Sequence, residues 1–215
     1  MANLEAQEVY FSTSDFQLGK ADRRRLSIIE ECIRLIARHG ISGVNFENLA
    51  RSLEVRRSHI AYYFKTQEEL IMKVVRFVSS FAQEQTVHLS RASEDPYDRI
   101  YAINAANFRW AKENPAHAKV LISFFAASTS NKKYRKLNSE LRIIGLQRIH
   151  GLLKLAKHKG SNEELMAISK NIHSLTAGIL IDAIATDMDL PYERIAKTGI
   201  EILLGQKRRA KKSLA

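Results

Sequence analysis

The sequence between residues 45 and 65 reads NFENLARSLEVRRSHIAYYFK and contains two short amphipathic segments. They meet at a break around Glu54 and Val55, which leaves room for a tight turn only. Apolar residues in the first segment recur at i, i+3, i+4 and i+7, which predicts a helix with one buried face. They are Phe46, Leu49, Ala50 and Leu53. Two short helices joined by a tight turn are typical of a helix-turn-helix.

Cations, aromatic rings and hydrogen-bonding groups crowd into the second segment and its exit. Such side chains can contact base edges in a DNA groove and the phosphates beside it. For His59 the alternative is a ring that only packs or faces water. We predict DNA contacts from Arg57, Ser58, His59, Tyr62, Tyr63 and Lys65.

Helical periodicity continues along the rest of the chain, and only three prolines and nine glycines occur among 215 residues. No strand-like alternation is sustained, so the sequence predicts an all-α fold. Thr66 and Glu69 form a capping box that predicts the start of a long helix. Further caps and helix-starting prolines predict helices at 96–112, 115–128, 132–159 (ended by Gly160), 162–186 and 191–204.

These patterns predict a division into four parts. They are a polar leader over 1–19, a helix-turn-helix DNA-binding domain over 20–66, a helical ligand-binding and dimerisation domain over 67–205, and a basic tail over 206–215.

The formal net charge of +11 and the pI near 9.8 favour a polyanionic partner. The single cysteine, Cys32, excludes an internal disulfide and a cysteine-based zinc site, and its apolar setting predicts a buried structural thiol. No stretch approaches a membrane span or a secretory signal, so we expect a cytoplasmic protein without membrane contact.

Catalytic motifs are missing from the sequence. The seven histidines are scattered, and no HExxH, GxSxG or phosphate-cradling glycine loop occurs. His150 and His158 lie eight residues apart without a carboxylate partner, which is weak evidence for a metal site. We therefore expect no enzyme activity, no catalytic residue, no bound metal and no cofactor.

Apolar walls with sparse polar groups in the middle helices predict a cavity for a mostly apolar small molecule. The same composition is equally typical of an ordinary core with a few hydrogen-bonded polar residues. The candidate ligand-binding residues are Asn107, Phe108, Trp110, Phe124, Tyr134 and His173.

The helices predicted near 162–186 and 191–204 are apolar on more than one side. The first carries a second stripe of small and apolar residues, namely Ser174, Ala177, Gly178, Ile181 and Ala185. Two such helices from each of two subunits would form a four-helix interface, so we predict a homodimer. The alternative is a helix buried on all sides within a monomer.

Residues Leu26 to Leu70 resemble the TetR family of bacterial transcriptional regulators. The resemblance lies in IIEECIRLIARHG, in LARSLEV, and in SHIAYYFKTQEEL, which is similar to the family's TLYxYFxSKEEL. It implies that Tyr63 and Lys65 hold DNA phosphates and that the other four predicted contacts face the groove or its edge. It also implies an all-α ligand-binding and dimerising domain after Leu70.

Three positions depart from the family pattern. Glu54 stands where glycine is usual, so a left-handed backbone there would cost about 1 kcal/mol. Arg56 stands where a serine-like cap is common, and arginine cannot cap a helix start. Ala61 replaces a frequent tyrosine.

The sequence thus predicts a repressor that a small-molecule effector releases from its double-stranded operator. Two alternatives remain at this point: a non-specific architectural DNA-binding protein without effector, and a family member that serves only as a protein-interaction module.

Overall fold

A computed structural model describes residues 20–91 and 93–205, and within them it contains nine α-helices and no strand, which confirms the all-α prediction. The helices are α1 (Lys20–His39), α2 (Phe46–Ser52), α3 (Arg57–Tyr63), α4 (Gln67–Ser90), α5 (Pro96–Glu113), α6 (Pro115–Ala127), α7 (Lys132–Leu155), α8 (Asn162–Ala185) and α9 (Tyr192–Leu203). The predicted leader, 1–19, and the predicted basic tail, 206–215, lie outside the described residues.

Helix α1 buries one apolar stripe along its length. Its buried members include Leu26, Ile29, Ile33 and Ile36, and Cys32 lies among them. Burial, and secondarily the neighbouring Glu31, raises the pKa of the Cys32 thiol to about 12. The thiol therefore stays protonated and unreactive at neutral pH, as expected of a structural cysteine.

The end of α7 differs from the prediction, which placed it at residue 159. The helix ends at Leu155, because Lys157 turns into the left-handed region with φ 50°. The His158 amide then donates to the Leu153 carbonyl at 3.0 Å, a bond that closes a Schellman-type helix end. Gly160, which was expected to end the helix, has φ 135° in the following loop.

The described residues form two compact units. The first runs up to Gln85 and includes Trp110–Leu141; the second comprises Thr86–Arg109 and the residues from Arg142 onward. In the first unit α1 packs against α6, and α2 packs against α3. Leu49, Ile60 and Leu70 are fully buried there. Each fully buried side chain of this size stabilises the fold by about 1.5–3 kcal/mol.

The second unit has a core of its own, in which α8 packs against α9. Its buried apolar members are Ile100, Ile103, Ile149, Leu152, Leu153, Leu165, Ile172, Ile200 and Leu204. Asn104 and Thr176 are buried beside them and hydrogen-bond each other. A buried amide paired in this way avoids the penalty of an unsatisfied polar group. Among the described helices, none is both long and apolar enough to cross a membrane.

Candidate nucleic-acid interface

The turn between α2 and α3 has the geometry of a glycine-type helix end, although it contains no glycine. The Val55 amide donates to the Ala50 carbonyl at 2.9 Å, which closes the turn. Glu54 takes the left-handed backbone conformation that this closure needs, with φ 54°. The structure therefore confirms the strained position expected from the sequence.

The start of α3 lacks a side-chain cap, as expected from the arginine at this position. Arg56 occupies the N-cap position with extended backbone and makes no capping hydrogen bond. Its carbonyl accepts from the His59 amide at 2.8 Å, so the backbone alone starts the helix. Arg56, Ser58 and His59, with Val55, line an open hollow of about 370 Å³ beside the helix start.

Four of the six predicted contact residues are exposed: Arg57, Ser58, Tyr62 and Lys65. The ring of Tyr62 is 72% exposed although it is largely apolar, which makes it available to a partner. Arg57 Nε lies 3.1 Å from a carboxylate oxygen of Glu47 at the start of α2. Exposed ion pairs are worth at most about 1 kcal/mol, so a phosphate can displace Glu47 readily.

The remaining two predicted contacts, His59 and Tyr63, are half-buried and form part of an aromatic array. The Tyr63 ring meets His59 edge-on at 5.4 Å and Tyr62 at 5.0 Å between ring centroids. The Arg25 guanidinium lies 5.8 Å from the Tyr63 centroid, and Asp22 holds Arg25 at 3.3 Å. Helix α1 thus braces the exit of α3 through Arg25. The sequence analysis missed this role, although the i,i+3 spacing of Asp22 and Arg25 indicates a pair.

A second brace joins α1 to α2 through a buried carboxylate. Glu31 is 7% exposed, pairs with Arg34 at 2.6 Å and accepts a hydrogen bond from the Ser52 hydroxyl. The sequence analysis also missed Glu31, because its spacing matched no apolar stripe. We call residues 20–66, which contain α1, α2 and α3, the reading module.

The exit from α3 is fixed by the start of α4. The Lys65 amide donates to the Glu69 carboxylate at 2.9 Å, and the Glu69 amide donates to the Thr66 hydroxyl at 3.1 Å. The carboxylate therefore reaches one residue further back than in a standard capping box, whose Glu bonds the N-cap amide. The backbone at Lys65 is held in place while its side chain stays exposed.

Next to this exit, Glu68 ties the first turn of α4 to the start of α7. Its carboxylate accepts from Lys133 Nζ at 2.5 Å and from Asn131 Nδ2 at 3.0 Å. These hydrogen bonds, that of Lys133 first, lower the pKa of Glu68. The Asn131 side chain also caps α7 by accepting from the Lys133 amide at 2.9 Å. The helix that leaves the reading module is thus anchored at its first turn.

The six predicted ligand-binding residues divide between the two units. In the first unit, the rings of Phe124 and Tyr134 are in contact at 5.1 Å, and Trp110 lies elsewhere, stacked on a histidine. In the second unit are Asn107, Phe108 and His173. Their role as a ligand site stays a prediction.

Two of the second-unit residues have defined neighbours. Asn107 accepts a hydrogen bond from Thr86 at 3.4 Å, and Phe108 packs with Ile179 and Ala196. His173 lies on Gly145, where a Cβ atom would come within 3.0 Å of the ring. Burial first, and the charge of Arg142 second, lower the pKa of His173 to about 4.

The second stripe of α8 lies at the surface of the single chain. Its five residues are exposed or half-buried, and a Cβ at Gly178 would meet nothing within 4 Å. On α9, Ile202 is 73% exposed. The alternative of a helix buried on all sides within a monomer is therefore wrong for α8. The dimer itself stays a prediction.

Residues 28–74 match the sequence profile of the family described as "Bacterial regulatory proteins, tetR family". The chain is also similar to two regulators named HTH-type transcriptional regulator BetI. That of Rhizobium meliloti is 22% identical over 121 residues, and that of Burkholderia thailandensis is 26% identical over 122. Each match takes in 56% of this chain and 60% or 63% of the relative, respectively. The chain thus spans less than two thirds of these relatives.

Solved structures share the architecture over a larger part of the chain. A transcriptional regulator from Saccharomonospora viridis, in complex with choline, superposes with a TM-score of 0.73 at 18% identity, covering 85% of this chain and 96% of that one. AibR, in complex with isovaleryl coenzyme A and operator DNA, superposes with a TM-score of 0.66 at 15% identity, covering 84% and 98%. At these identities the likeness concerns the fold alone.

Proposed function

We propose that the chain is a member of the TetR family of bacterial regulatory proteins and a DNA-binding transcriptional regulator, specifically a repressor that a small-molecule effector releases from its operator. One observation carries this proposal. The exposed side chains of Arg57 and Tyr62 stand on the short helix α3, and that of Lys65 follows at its exit, which is braced by Arg25 and by Glu69. Rigid support of exposed cations and rings suits the binding of DNA phosphates and base edges.

The active species in this proposal is a homodimer formed through α8 and α9. The exposed apolar side chains of both helices, among them Ile202, supply the surface that a four-helix interface would bury. A twofold dimer presents two reading modules to half-sites about 34–36 Å apart on one face of the duplex. The operator is therefore a pseudo-palindrome, and an Ile202→Glu variant should sediment as a monomer.

The effector would bind within residues 67–205, which we propose as the ligand-binding and dimerisation domain, with residues 20–66 as the DNA-binding domain. Relatives of known structure bind choline in one case and isovaleryl coenzyme A in another, which supports a small-molecule ligand without naming this one. The ligand must favour the form that cannot bind DNA. Moving such an equilibrium from about 1:99 to 99:1 requires about 5.5 kcal/mol of differential affinity. The proposed regulator acts in the cytoplasm.

The test is selection of bound fragments from a random DNA pool, followed by footprinting under an excess of unrelated DNA. A regulator retains a short footprint, whereas its loss would indicate an architectural DNA-binding protein instead. Failure to bind DNA at all would favour a protein-interaction module.

The phosphate role of Lys65 is tested on the selected operator. Lys65→Ala should weaken binding to every DNA sequence and lower the slope of log K against log salt by roughly 1, since one phosphate contact is lost. Lys119→Ala, which removes an exposed lysine from α6, is the matched control and should leave the slope unchanged. An unchanged slope in the Lys65 variant would remove the phosphate role.

A further inference from the structure

The helices after the reading module contain buried side-chain nitrogen atoms that lack hydrogen-bond partners. In the described part of the chain, five buried side-chain atoms make no hydrogen bond, and all five are nitrogens. They are Arg99 Nε, Trp110 Nε1, His117 Nδ1, His150 Nε2 and His173 Nδ1. Two of these atoms belong to residues in direct contact, because Trp110 and His117 stack with their ring planes 12° apart and their centroids 6.3 Å apart.

Two further aromatic rings of the first unit contact the His117 member of this pair. Phe81 and Phe77 on α4 meet the His117 ring edge-on, with centroids 5.8 Å and 6.3 Å away. Trp110 is only 4% exposed, so water has little access to its indole N–H. Burial also lowers the pKa of His117, which keeps its imidazole neutral at pH 7. Trp110 and His117 therefore belong to an uncharged, largely apolar cluster of rings, in which one nitrogen of each residue is unpaired.

The chemistry of the unpaired atoms restricts what can complete the cluster. The indole N–H of Trp110 can only donate, and a buried donor without a partner is unfavourable. A neutral imidazole can donate from Nδ1 as well. The missing group is an acceptor oxygen on an apolar body.

We propose that the effector of this regulator presents a carbonyl-type oxygen, that of a carboxylic acid or its ester, to Trp110 and His117, with its hydrocarbon body against Phe77 and Phe81. This proposal rests on the regulatory function proposed above and adds the chemical class of the effector. Binding removes the cost of the two unpaired nitrogens. The cluster joins α4, which leaves the reading module, to α5 and α6, so its occupation acts on the helix that directly follows the DNA-binding residues.

The indole reports directly on this cluster, because Trp110 is the only tryptophan of the chain. Two probes of similar size separate the ligand classes: 3,3-dimethylbutyrate, which carries a carboxylate, and choline, which carries a quaternary ammonium. Titration of the full chain with 3,3-dimethylbutyrate should change the tryptophan emission and saturate at concentrations up to about 10 mM, as expected of a small fragment. Choline should bind at least about tenfold more weakly, a difference of about 1.4 kcal/mol. No response to the acid, or equal or tighter binding of choline, would overturn the proposal.

Variants test the two nitrogens separately from the packing of their rings. His117→Phe keeps a ring and the Trp110 reporter but removes Nδ1, and Trp110→Phe removes the indole N–H. Both should weaken binding of 3,3-dimethylbutyrate by about tenfold, measured by emission for the first and by the ligand-induced shift in melting temperature for both. Without the probe, His117→Phe should melt at the same temperature as the wild type or higher, because carbon replaces the unpaired nitrogen. Trp110→Phe should melt at a lower temperature, because the smaller ring leaves a cavity.

Tyr97→Phe, a change in the aromatic–histidine pair that Tyr97 forms with His158 in the second unit, is the matched control and should bind the probe normally. A lower melting temperature of His117→Phe, together with unchanged probe binding in both ring variants, would show that buried water satisfies the nitrogens, and the proposal would fail. Operator binding without probe is measured in parallel. If the wild type binds its operator but not the acid, only the effector class fails, whereas absence of selective DNA binding removes the regulatory function itself.

Discussion

The reading module and the helices that follow it differ in whether their buried polar side chains have hydrogen-bond partners. In the module, the buried carboxylate of Glu31 has two partners, Arg34 and Ser52, and Asn45 accepts from the Asn48 amide at 2.7 Å to cap α2. All five buried side-chain nitrogens without a partner, by contrast, lie between residues 99 and 173 of the described chain.

The buried polar groups named in the reading module are hydrogen-bonded, whereas five buried nitrogens in the described part of the later helices are not. These bonds join α1 to α2 and cap α2, so we expect the module to meet DNA without rearranging. Unpaired buried nitrogens leave the later helices with free energy to gain from a ligand. Effector-controlled DNA binding requires two components. One is a rigid DNA-binding part, here the reading module, and the other is a region that responds to the effector, here the later helices.

The largest expected effect tests the close packing of the module. Ile60 is fully buried between α3 and its neighbours, so Ile60→Ala should lower the free energy of unfolding by about 3 kcal/mol. Leu155→Ala removes a side chain that is mostly exposed and should cost less than about 0.5 kcal/mol. Guanidinium unfolding measures both. Similar losses from the two variants would contradict the picture of a tightly packed module.

A second prediction concerns pH and the later helices. An unfolded histidine has a pKa of about 6.5, whereas that of folded His173 is about 4. Between these values the unfolded chain binds the extra proton, so stability is fully present above pH 6.5 and falls as the pH drops toward 4. The loss should be on the order of 1–2 kcal/mol, less than the whole shift would give because the ring is only partly buried.

His173→Leu checks this prediction, because it removes the titrating group and keeps an apolar side chain on Gly145. Denaturant unfolding at several pH values should show a smaller acid-induced loss in the variant than in the wild type. If the wild type and the variant lose stability in parallel as the pH falls, then His173 is protonated alike in the folded and the unfolded chain.

Both regions contain one non-glycine residue with a left-handed backbone, Glu54 in the module and Lys157 after α7. Glu54→Gly and Lys157→Gly should each raise the melting temperature, with a gain of about 0.5–1 kcal/mol from relief of the positive φ. Glu54→Ala is the control and should bring no gain. A loss of stability in either glycine variant would show that the side chain contributes more than the backbone strain costs.

The smallest expected effect concerns the exposed pair between Glu47 and Arg57. Glu47→Gln should change the free energy of unfolding by less than about 0.5 kcal/mol, as for other exposed ion pairs. It should tighten operator binding about twofold to threefold, since it releases Arg57 and removes a negative charge near the DNA. Fluorescence anisotropy with a labelled operator measures this change, and weaker binding would indicate that Glu47 positions Arg57 for its contact.

Local sequence signals predicted much of the fold. Ser161 and Glu164 form a complete capping box at the start of α8, and Asn45 caps α2, because these side chains bond amides three residues away. The end of α7 could not be predicted this way, since a lysine in the left-handed conformation carries no sequence signal. In the candidate interface, the predicted DNA contacts Arg57, Ser58, Tyr62 and Lys65 are exposed, and their role stays a prediction. The bracing contact of Arg25 with Tyr63 was not predicted.

The sequence by itself determined the all-α class, the two short helices around Glu54 and the strained turn between them, because helical period, caps and backbone preferences act over a few residues. Only the tertiary structure decided that Arg25 lies against Tyr63, that Glu31 is buried with Ser52, and that Trp110 stacks on His117 with both nitrogens unpaired. Such contacts depend on which helices pack together, whereas the period of apolar residues shows only which face of each helix is buried. The tertiary structure therefore decided both the contacts that brace the reading module and the unpaired nitrogens to which a ligand could bond in the later helices.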